Sequence, residues 1–391
     1  MHSKLTQNQR FQQWRMIKNG EVKIVVGARS AIFAPFKNLG AIIIDEEHDK
    51  SYISSQDPKF HTDELALFRQ KYNKATLIFA SATPSIKTMT KAINGNYKLL
   101  ELKNRINGNM PKVEIVDMRE ELKNSNYSMV STSLYDKITD KLKNREQVIL
   151  FLNKIGHNSF TFCRNCGYVV KCEACDVAMT YHKNVSKLVC HYCGRTKNQP
   201  EICPVCGSNK IKEFGAGTEK LEEEVKKLFP KSNIIRMDSM TAKDKSSYDN
   251  MYRMMKDNKV DILIGTQMIA KGLDFENVTL VGIISADLSL NIDDYTAYET
   301  SFELLTQVSG RAGRAKKQGH VIIQTYKPDN FVINAASKND YESYYNYEMQ
   351  ARKAFDYPPF TNLITIKILD ESRIKCIDIS KKIKYYLDLE Y

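Results

Sequence analysis

The sequence predicts an α/β protein with two parallel sheets and, set between strands, a compact metal-binding block. Short β-branched runs ending in small, acidic or hydroxyl residues alternate with helical stretches, the pattern of βαβ units. Eight of the nine cysteines fall between Cys163 and Cys206, far too clustered for a scatter of core thiols.

Residues 4–18 place Leu5, Phe11, Trp14, Met16 and Ile17 among polar neighbours and predict an amphipathic helix. Lys23–Val26 reads as a strand delivering Gly27-Ala28-Arg29-Ser30, a small-residue loop with one arginine suited to a phosphate or nucleic-acid contact. Ala41–Ile44 is continuously apolar, as in a strand buried on both faces of a parallel sheet. It ends in Asp45-Glu46-Glu47-His48, where α/β sheets place ligands. A carboxylate there can hold Mg²⁺ while its neighbour orients or deprotonates a water; a charged turn after a core strand is the plain alternative. Thr76–Ala80 is a second apolar strand, ending in Ser81-Ala82-Thr83-Pro84-Ser85, whose hydroxyls can bridge the acidic pair to a polynucleotide. Between them, Tyr52, Phe60 and His61 sit in a polar stretch able to set aromatic rings against unstacked bases.

Val148–Leu152 is a strand leading into the cysteines, which form the C-x-x-C pairs Cys163/Cys166, Cys172/Cys175, Cys190/Cys193 and Cys203/Cys206. Two thiolates at this spacing occupy adjacent corners of a metal tetrahedron. Gly167, Gly194 and Gly207 follow three of the second cysteines, where a knuckle needs positive φ. Four pairs make two Cys₄ zinc sites, and the spacing favours a nested arrangement: the two middle pairs form one site and the outer pairs close around it. His182 and His191 are then neighbours rather than ligands. A disulfide framework would suit a secreted chain, but no signal peptide opens this one. A thioredoxin-type redox motif needs one C-x-x-C, not four.

After the block, Gly215-Ala-Gly-Thr-Glu219 precedes a helix carrying Leu221, Val225 and Leu228. Ile234–Met237 is a strand, Ser247–Met255 a helix and Val260–Ile264 a buried strand running into Gly265-Thr266-Gln267-Met-Ile-Ala-Lys271-Gly272-Leu-Asp274-Phe275. Val278–Ile284 is another strand, ending near Asp287. A helix then carries Gln307-Val-Ser-Gly310-Arg311-Ala-Gly313-Arg314 before the strand Gly319–Gln324. Arg311 and Arg314 are expected on one helix face, able to stabilise charge on a phosphoryl group, with Gly310 and Gly313 letting a neighbouring lobe approach; a basic helix face is the alternative.

The 391 residues suffice for two or three domains, and no apolar run approaches a membrane span. The formal charge of +12 points to a polyanion partner. Two Zn²⁺ with eight thiolates carry about −4, leaving about +8. A solvated lysine-rich surface would give the same composition. Cysteines reserved for metal suggest a reducing cytoplasm.

Asp45–His48 and Ser81–Ser85 resemble motifs II and III of superfamily 2 helicases, and residues 265–275 and 307–314 resemble motifs V and VI, in the right order. With the eight cysteines and Tyr357-Pro358-Pro359-Phe360, the chain is identified as resembling the PriA family of replication-restart DNA helicases over nearly its whole length. The resemblance implies two RecA-like lobes, the first incomplete, with the two-zinc insertion in the second. It implies ATP-dependent 3′→5′ unwinding at stalled forks, reloading of the replicative helicase, and Zn²⁺, Mg²⁺ and ATP as cofactors. Single-stranded and forked DNA, primosome proteins and single-strand-binding protein are the implied partners, with no membrane.

Carried over by residue, Asp45 would hold Mg²⁺ and Glu46 would activate water, with Arg311 and Arg314 sensing and neutralising the phosphates. Gln307, Gly310, Gly265 and Asp274 would lie on the nucleotide side. Arg29, His48, Tyr52, Ser81, Thr83, Thr266 and Lys271 would couple DNA to ATP. The implied domains are the end of lobe 1 at 1–110, the start of lobe 2 at 111–161, the zinc insertion at 162–212, the rest of lobe 2 at 213–330 and the start of a C-terminal domain at 331–391. One departure stands out: G-x-x-x-x-G-K-[ST], the loop that cradles phosphates, occurs nowhere. A partial chain deficient in ATP hydrolysis is therefore expected, and a non-enzymatic zinc fragment docking on DNA or protein is the alternative.

Overall fold

The computed structural model describes residues 5–54, 57–102, 110–153, 161–173, 178–182, 185–190, 193–213, 217–238, 241, 245–270, 275–292, 294–313, 317–364, 366 and 368–390. The chain divides into two compact units, Met1–Glu348 and Met349–Tyr391.

The first unit opens with helix α1 (Gln7–Asn19), started by a Thr6–Gln9 capping box and stopped at Gly20 with φ +80. Its amphipathic pattern buries Ile17 and leaves Phe11 exposed. Then come β1 (Ala41–Asp45), α2 (Thr62–Asn73), β2 (Thr76–Ala80) and α3 (Ile86–Ile93). β1 and β2 pair in parallel with Asp45 beside Ala80, so the two sequence motifs start side by side. Ile44, Ile32 and Ala66 form the core beneath them.

Two expectations fail in this region. Lys23–Val26 is irregular rather than a strand, with Ile24 79% and Val26 83% exposed. β-branched composition specifies a strand only where packing against neighbours favours it, and this segment is largely exposed. β1 is parallel but not buried on both faces: Ile43 lies opposite Ile78, and both are exposed.

The second sheet begins with β3 (Lys112–Asp117), α4 (Met118–Lys123), α5 (Thr132–Lys143) and β4 (Gln147–Phe151). The cysteine-rich segment leaves through β5 (Thr161–Cys163), forms a three-stranded sheet of β6 (Thr180–His182), β7 (Lys187–Val189) and β8 (Thr196–Lys197), and returns through β9 (Ile211–Glu213). β5 and β9 pair antiparallel, with Cys163 opposite Ile211, so entry and exit share one stalk. The α/β alternation resumes with α6 (Thr218–Leu228), β10 (Ile234–Met237), α7 (Lys245–Lys256), β11 (Ile262–Gly265), α8 (Gln267–Ala270) and β12 (Val278–Ile283). It continues with α9 (Asp287–Leu290), α10 (Ala297–Ser309), β13 (His320–Thr325), α11 (Phe331–Ser337) and α12 (Tyr341–Ala354).

All pairings in this sheet are parallel, in the order β10-β11-β4-β12-β13-β3. Central β4 is buried at every position, as its run of Val, Ile, Leu and Phe requires. Leu134, Leu221 and Val225 cover the sheet at 0% exposure, fixing α5 and α6 against it. In the second unit, α13 (Arg373–Glu390) is the main element. No described helix is long and apolar enough to cross a membrane.

Candidate functional site

At the end of β1 the chain turns sharply. Glu46 takes φ +48, a left-handed conformation that costs a non-glycine residue of order 1–3 kcal/mol. Its amide donates to Asp45 Oδ1 at 3.0 Å, and the Glu47 amide donates to Ala80 O at 3.1 Å, stitching the acidic segment to the end of β2. His48, with its side chain 6% exposed, meets Ser81 Oγ through Nδ1 at 2.7 Å and Glu46 Oε2 at 3.7 Å. Ser81 Oγ also accepts from the amide of buried Thr83 at 3.0 Å. One imidazole thus joins the acidic segment to the hydroxyl segment.

Two residues expected to meet DNA have internal tasks here. Arg29 donates through Nη1 to the carbonyls of Ser51 and Ile53, both at 2.9 Å, and so braces the loop after the acidic segment. Tyr52 and Phe60 pack on the Ile32–Ile44–Ala66 core instead of lying open in a polar loop. Burial, then the charges of Asp45, Asp49 and Glu46, raise the Tyr52 phenol above its usual value, and its hydroxyl donates to Asp45 O at 2.7 Å.

Sequence reasoning passed over Glu47. Its Oε1 accepts from the Ser85 amide at 2.6 Å, and its Oε2 from Thr88 Oγ1 at 3.0 Å and Ser85 Oγ at 3.2 Å. Ser85 is also the N-cap of α3, accepting from the Thr88 amide. An acidic residue paired with a Ser-x-x-Thr helix start was the available signal.

On the second sheet, Gly265 ends β11 and Thr266 follows it, and a Cβ at Gly265 would lie 2.7 Å from Ile269 Cγ2 and 2.8 Å from Met237 O. Gln307 is in the last turn of α10. The helix ends at Ser309, so Arg311 lies in the turn beyond it, its amide donating to Val308 O at 3.0 Å, and not on a helix face. Gly313, φ +68, makes its close approach to Gly319 of the same sheet rather than to a neighbouring lobe, and Gly310 sits at ordinary φ. Lys271, Asp274 and Arg314 lie outside the described residues.

The cysteines group as the nested arrangement requires. The sulfurs of Cys163, Cys166, Cys203 and Cys206 all lie within 4.8 Å of one another, as do those of Cys172, Cys190 and Cys193, while Cys175 lies outside the described residues. Cys163 to Cys206, Cys166 to Cys203 and Cys172 to Cys193 are each 3.7 Å apart. A tetrahedral zinc with bonds of about 2.3 Å has sulfur–sulfur edges of about 3.8 Å, whereas a disulfide needs about 2.05 Å. The donor set therefore fits zinc. Gly167, Gly194 and Gly207 have φ of +74, +71 and +67, and their amides donate to Cys163 O, Cys190 O and Cys203 O. Without a cation, burial pushes the Cys166 thiol up to about 12, while the Asn165 side chain and the Ser208 amide draw Cys206 down to about 6.

Similarity to known proteins then bears on this geometry. Residues 172–197 match the PriA DNA helicase Cys-rich region domain, and residues 206–316 match the helicase conserved C-terminal domain. The replication restart protein PriA of Bacillus subtilis is 48% identical over 388 residues, covering 99% of this chain and 48% of that protein. The chain is PriA-like. The PriA protein of Synechocystis is 41% identical over 378 residues, covering 94% of this chain and 46% of its own length. The chain thus spans about half the length of the curated PriA relatives it matches. Among solved structures, RecG bound to a three-way DNA junction is similar at a TM-score of 0.48 and 14% identity, over 98% of this chain and 38% of that one.

The PriA-type cysteine module is seated on the six-stranded sheet through one knuckle. A Cβ on Gly167 would lie 2.8 Å from Tyr326 O at the end of β13, and the Phe162 and Tyr326 rings meet edge-on at 5.0 Å. Gly167→Ala is therefore expected to cost about 2 kcal/mol or more and to speed zinc loss to a chelator. Gly207→Ala shares the left-handed φ but has nothing within 4 Å, and should cost less. Equal losses from the two variants would remove Tyr326 as the docking contact.

Proposed function

We propose that this chain supplies the acidic and arginine halves of an ATP-driven 3′→5′ DNA helicase acting in replication restart. The observation that carries the reading is the joined pair of segments at the ends of β1 and β2, where His48 links Glu46 to Ser81. In this reading Asp45 would hold Mg²⁺, which when bound supplies positive charge to the phosphates. Glu46, at the left-handed turn that ends β1, would take the proton of the attacking water. Gln307, Gly310, Gly265 and Asp274 would line the nucleotide side, and Arg311 and Arg314 would neutralise charge on the transferring phosphoryl group. Ser81, Thr83, Thr266 and Lys271 would report DNA to that site, with Arg29 and Tyr52 acting indirectly by bracing the loop.

The cysteine module with its two zinc ions forms residues 162–212 of this scheme, between the parts of the second lobe at 111–161 and 213–330. Residues 1–110 would belong to the first lobe and 331–391 to a further domain. Primosome proteins and single-strand-binding protein are the partners, and the cytoplasm the setting. A second reading, a zinc module docking on DNA without hydrolysis, is supported by the lack of a G-x-x-x-x-G-K-[ST] loop in this sequence.

Both readings require DNA binding through phosphates and stacked bases, so affinity for single-stranded and forked DNA should fall steeply with salt as counterions are released. Fluorescence anisotropy between 50 and about 200 mM salt should show a loss of roughly a thousandfold for about six phosphate contacts. A binding constant that barely moves would contradict the basic surface as the contact. DNA-stimulated phosphate release, measured in a form of the protein that also carries a G-x-x-x-x-G-K-[ST] segment, then separates the enzyme from the docking module.

A further inference from the structure

In the first unit, the β1–β2 sheet and the six-stranded sheet are held together around the start of α3. The Ile86 amide donates to Glu299 Oε1 of α10 at 2.7 Å, and Tyr341 of α12 donates its hydroxyl to Pro84 O at 2.7 Å. Lys50 donates to Thr296 Oγ1 at 2.8 Å and lies 3.5 Å from Asp294 Oδ2. Thr90 Oγ1 and the Tyr345 hydroxyl are 2.9 Å apart. The Ser81–Ser85 loop is thus gripped from both sides: Glu47 takes the Ser85 amide from the first sheet, and Glu299 takes the next amide from the second.

The chemistry of this grip is specific. The first amides of a helix have no partner inside it, and its N-terminus carries partial positive charge. Ile86 is completely buried, so water cannot easily take the place of Glu299 on its amide. A carboxylate reaching across from another element is therefore the strong form of a cap. Glu303, one turn further along α10, faces the same seam. Burial, Glu299, Glu47 and Asp49 raise its carboxyl well above the usual range, Lys50 opposing them, so the seam is spared another negative charge beside Glu299.

The placement of α10 gives the contact a consequence. Its first turn holds Glu299, while Gln307 stands in its last turn, about 12 Å along at 1.5 Å per residue, with Arg311 in the turn just beyond. We propose that Glu299 is a positioning residue, holding the Ser81–Ser85 loop and the acidic segment in register with Gln307 and Arg311, so that ligand binding on one sheet is felt on the other. The proposal rests on the helicase reading for its purpose, but the coupling itself does not require nucleotide.

The test is amide hydrogen exchange of the full chain without nucleotide, read at Ile86 and over residues 305–312. Glu299→Ala should speed exchange at Ile86 by about ten- to a hundredfold, the loss of one charge-assisted hydrogen bond, and should also raise exchange over 305–312. Glu299→Gln keeps an acceptor without the charge and should give a smaller rise at both places. Exchange in β4 and the zinc content should stay at parental values, which separates loosening of the seam from unfolding. If Glu299→Ala does not fold, Glu299→Gln and Tyr341→Phe decide the matter through the same two segments. Unchanged Ile86 exchange, or a rise there with none over 305–312, would overturn the proposal. If both rises appear, but a form of the protein that also carries a G-x-x-x-x-G-K-[ST] segment shows no DNA-stimulated ATP hydrolysis, the helicase reading fails and the coupling stands.

Discussion

Cys172→Ser is expected to empty the inner zinc site and unfold the segment around β6–β8, lowering the metal content from two zinc ions per chain to about one. Among the described residues, the hydrophobic cluster of the module has eight buried members, and four of them are ligand cysteines: Cys163, Cys172, Cys190 and Cys203. Among the described residues, Val170, Met179, Leu188 and Ile211 are the apolar members of that cluster, and a core so small needs a metal to hold it. Apparent structural-zinc binding is worth on the order of 10 kcal/mol, and a serine hydroxyl cannot replace the thiolate. The nested grouping makes the loss asymmetric. The outer site closes on the β5–β9 stalk and rests against Tyr326, so it should keep part of its metal. Elemental analysis and X-ray absorption check this: sulfur alone at about 2.3 Å is expected in the first shell. One zinc in the parental chain, or imidazole nitrogen in the shell, would contradict two Cys₄ sites.

What the sequence made legible follows from how local each signal is. The C-x-x-C knuckles are short and repeated, and the positive φ of Gly167, Gly194 and Gly207 follows from the knuckle alone. Strands β4, β11 and β12 are buried and almost purely apolar, so their composition announced them. Lys23–Val26 shows the limit of that signal, because β-branched composition specifies a strand only where a neighbour supplies the ladder. β3 went unread: its Lys-Val-Glu-Ile-Val-Asp alternation is weak, and its place beside β13 is decided by a contact some two hundred residues away in sequence. The same holds for the site. Motif spelling located Asp45, Glu46, His48 and Ser81, but not the turning of Tyr52 and Arg29 inward, nor the reach of Glu299 to Ile86. Such contacts join distant segments and leave no periodicity behind.

Glu46→Gln is expected to abolish most ATP turnover while leaving ATP binding largely intact. The amide keeps the shape of the carboxylate and the turn at φ +48, yet it cannot accept a proton from water. Asp45 would keep its place for Mg²⁺, and residues from the second sheet would still meet the phosphates, so affinity should survive. Loss of the general base should cost about a hundred- to ten-thousandfold in turnover. The neighbouring contacts sharpen the expectation. His48 lies 3.7 Å from Glu46 and 2.7 Å from Ser81, so an amide at residue 46 changes the longer contact but keeps the hydrogen bond joining the two segments. DNA binding should therefore persist in the variant. The decisive measurement is DNA-stimulated phosphate release, with ATP binding followed in parallel, in a form of the protein that also carries a phosphate-cradling G-x-x-x-x-G-K-[ST] segment. The reading of this chain as the acidic and arginine halves of a helicase predicts parental hydrolysis in the presence of forked DNA and its near-complete loss in Glu46→Gln at unchanged ATP affinity. Hydrolysis by Glu46→Gln at the parental rate would contradict it.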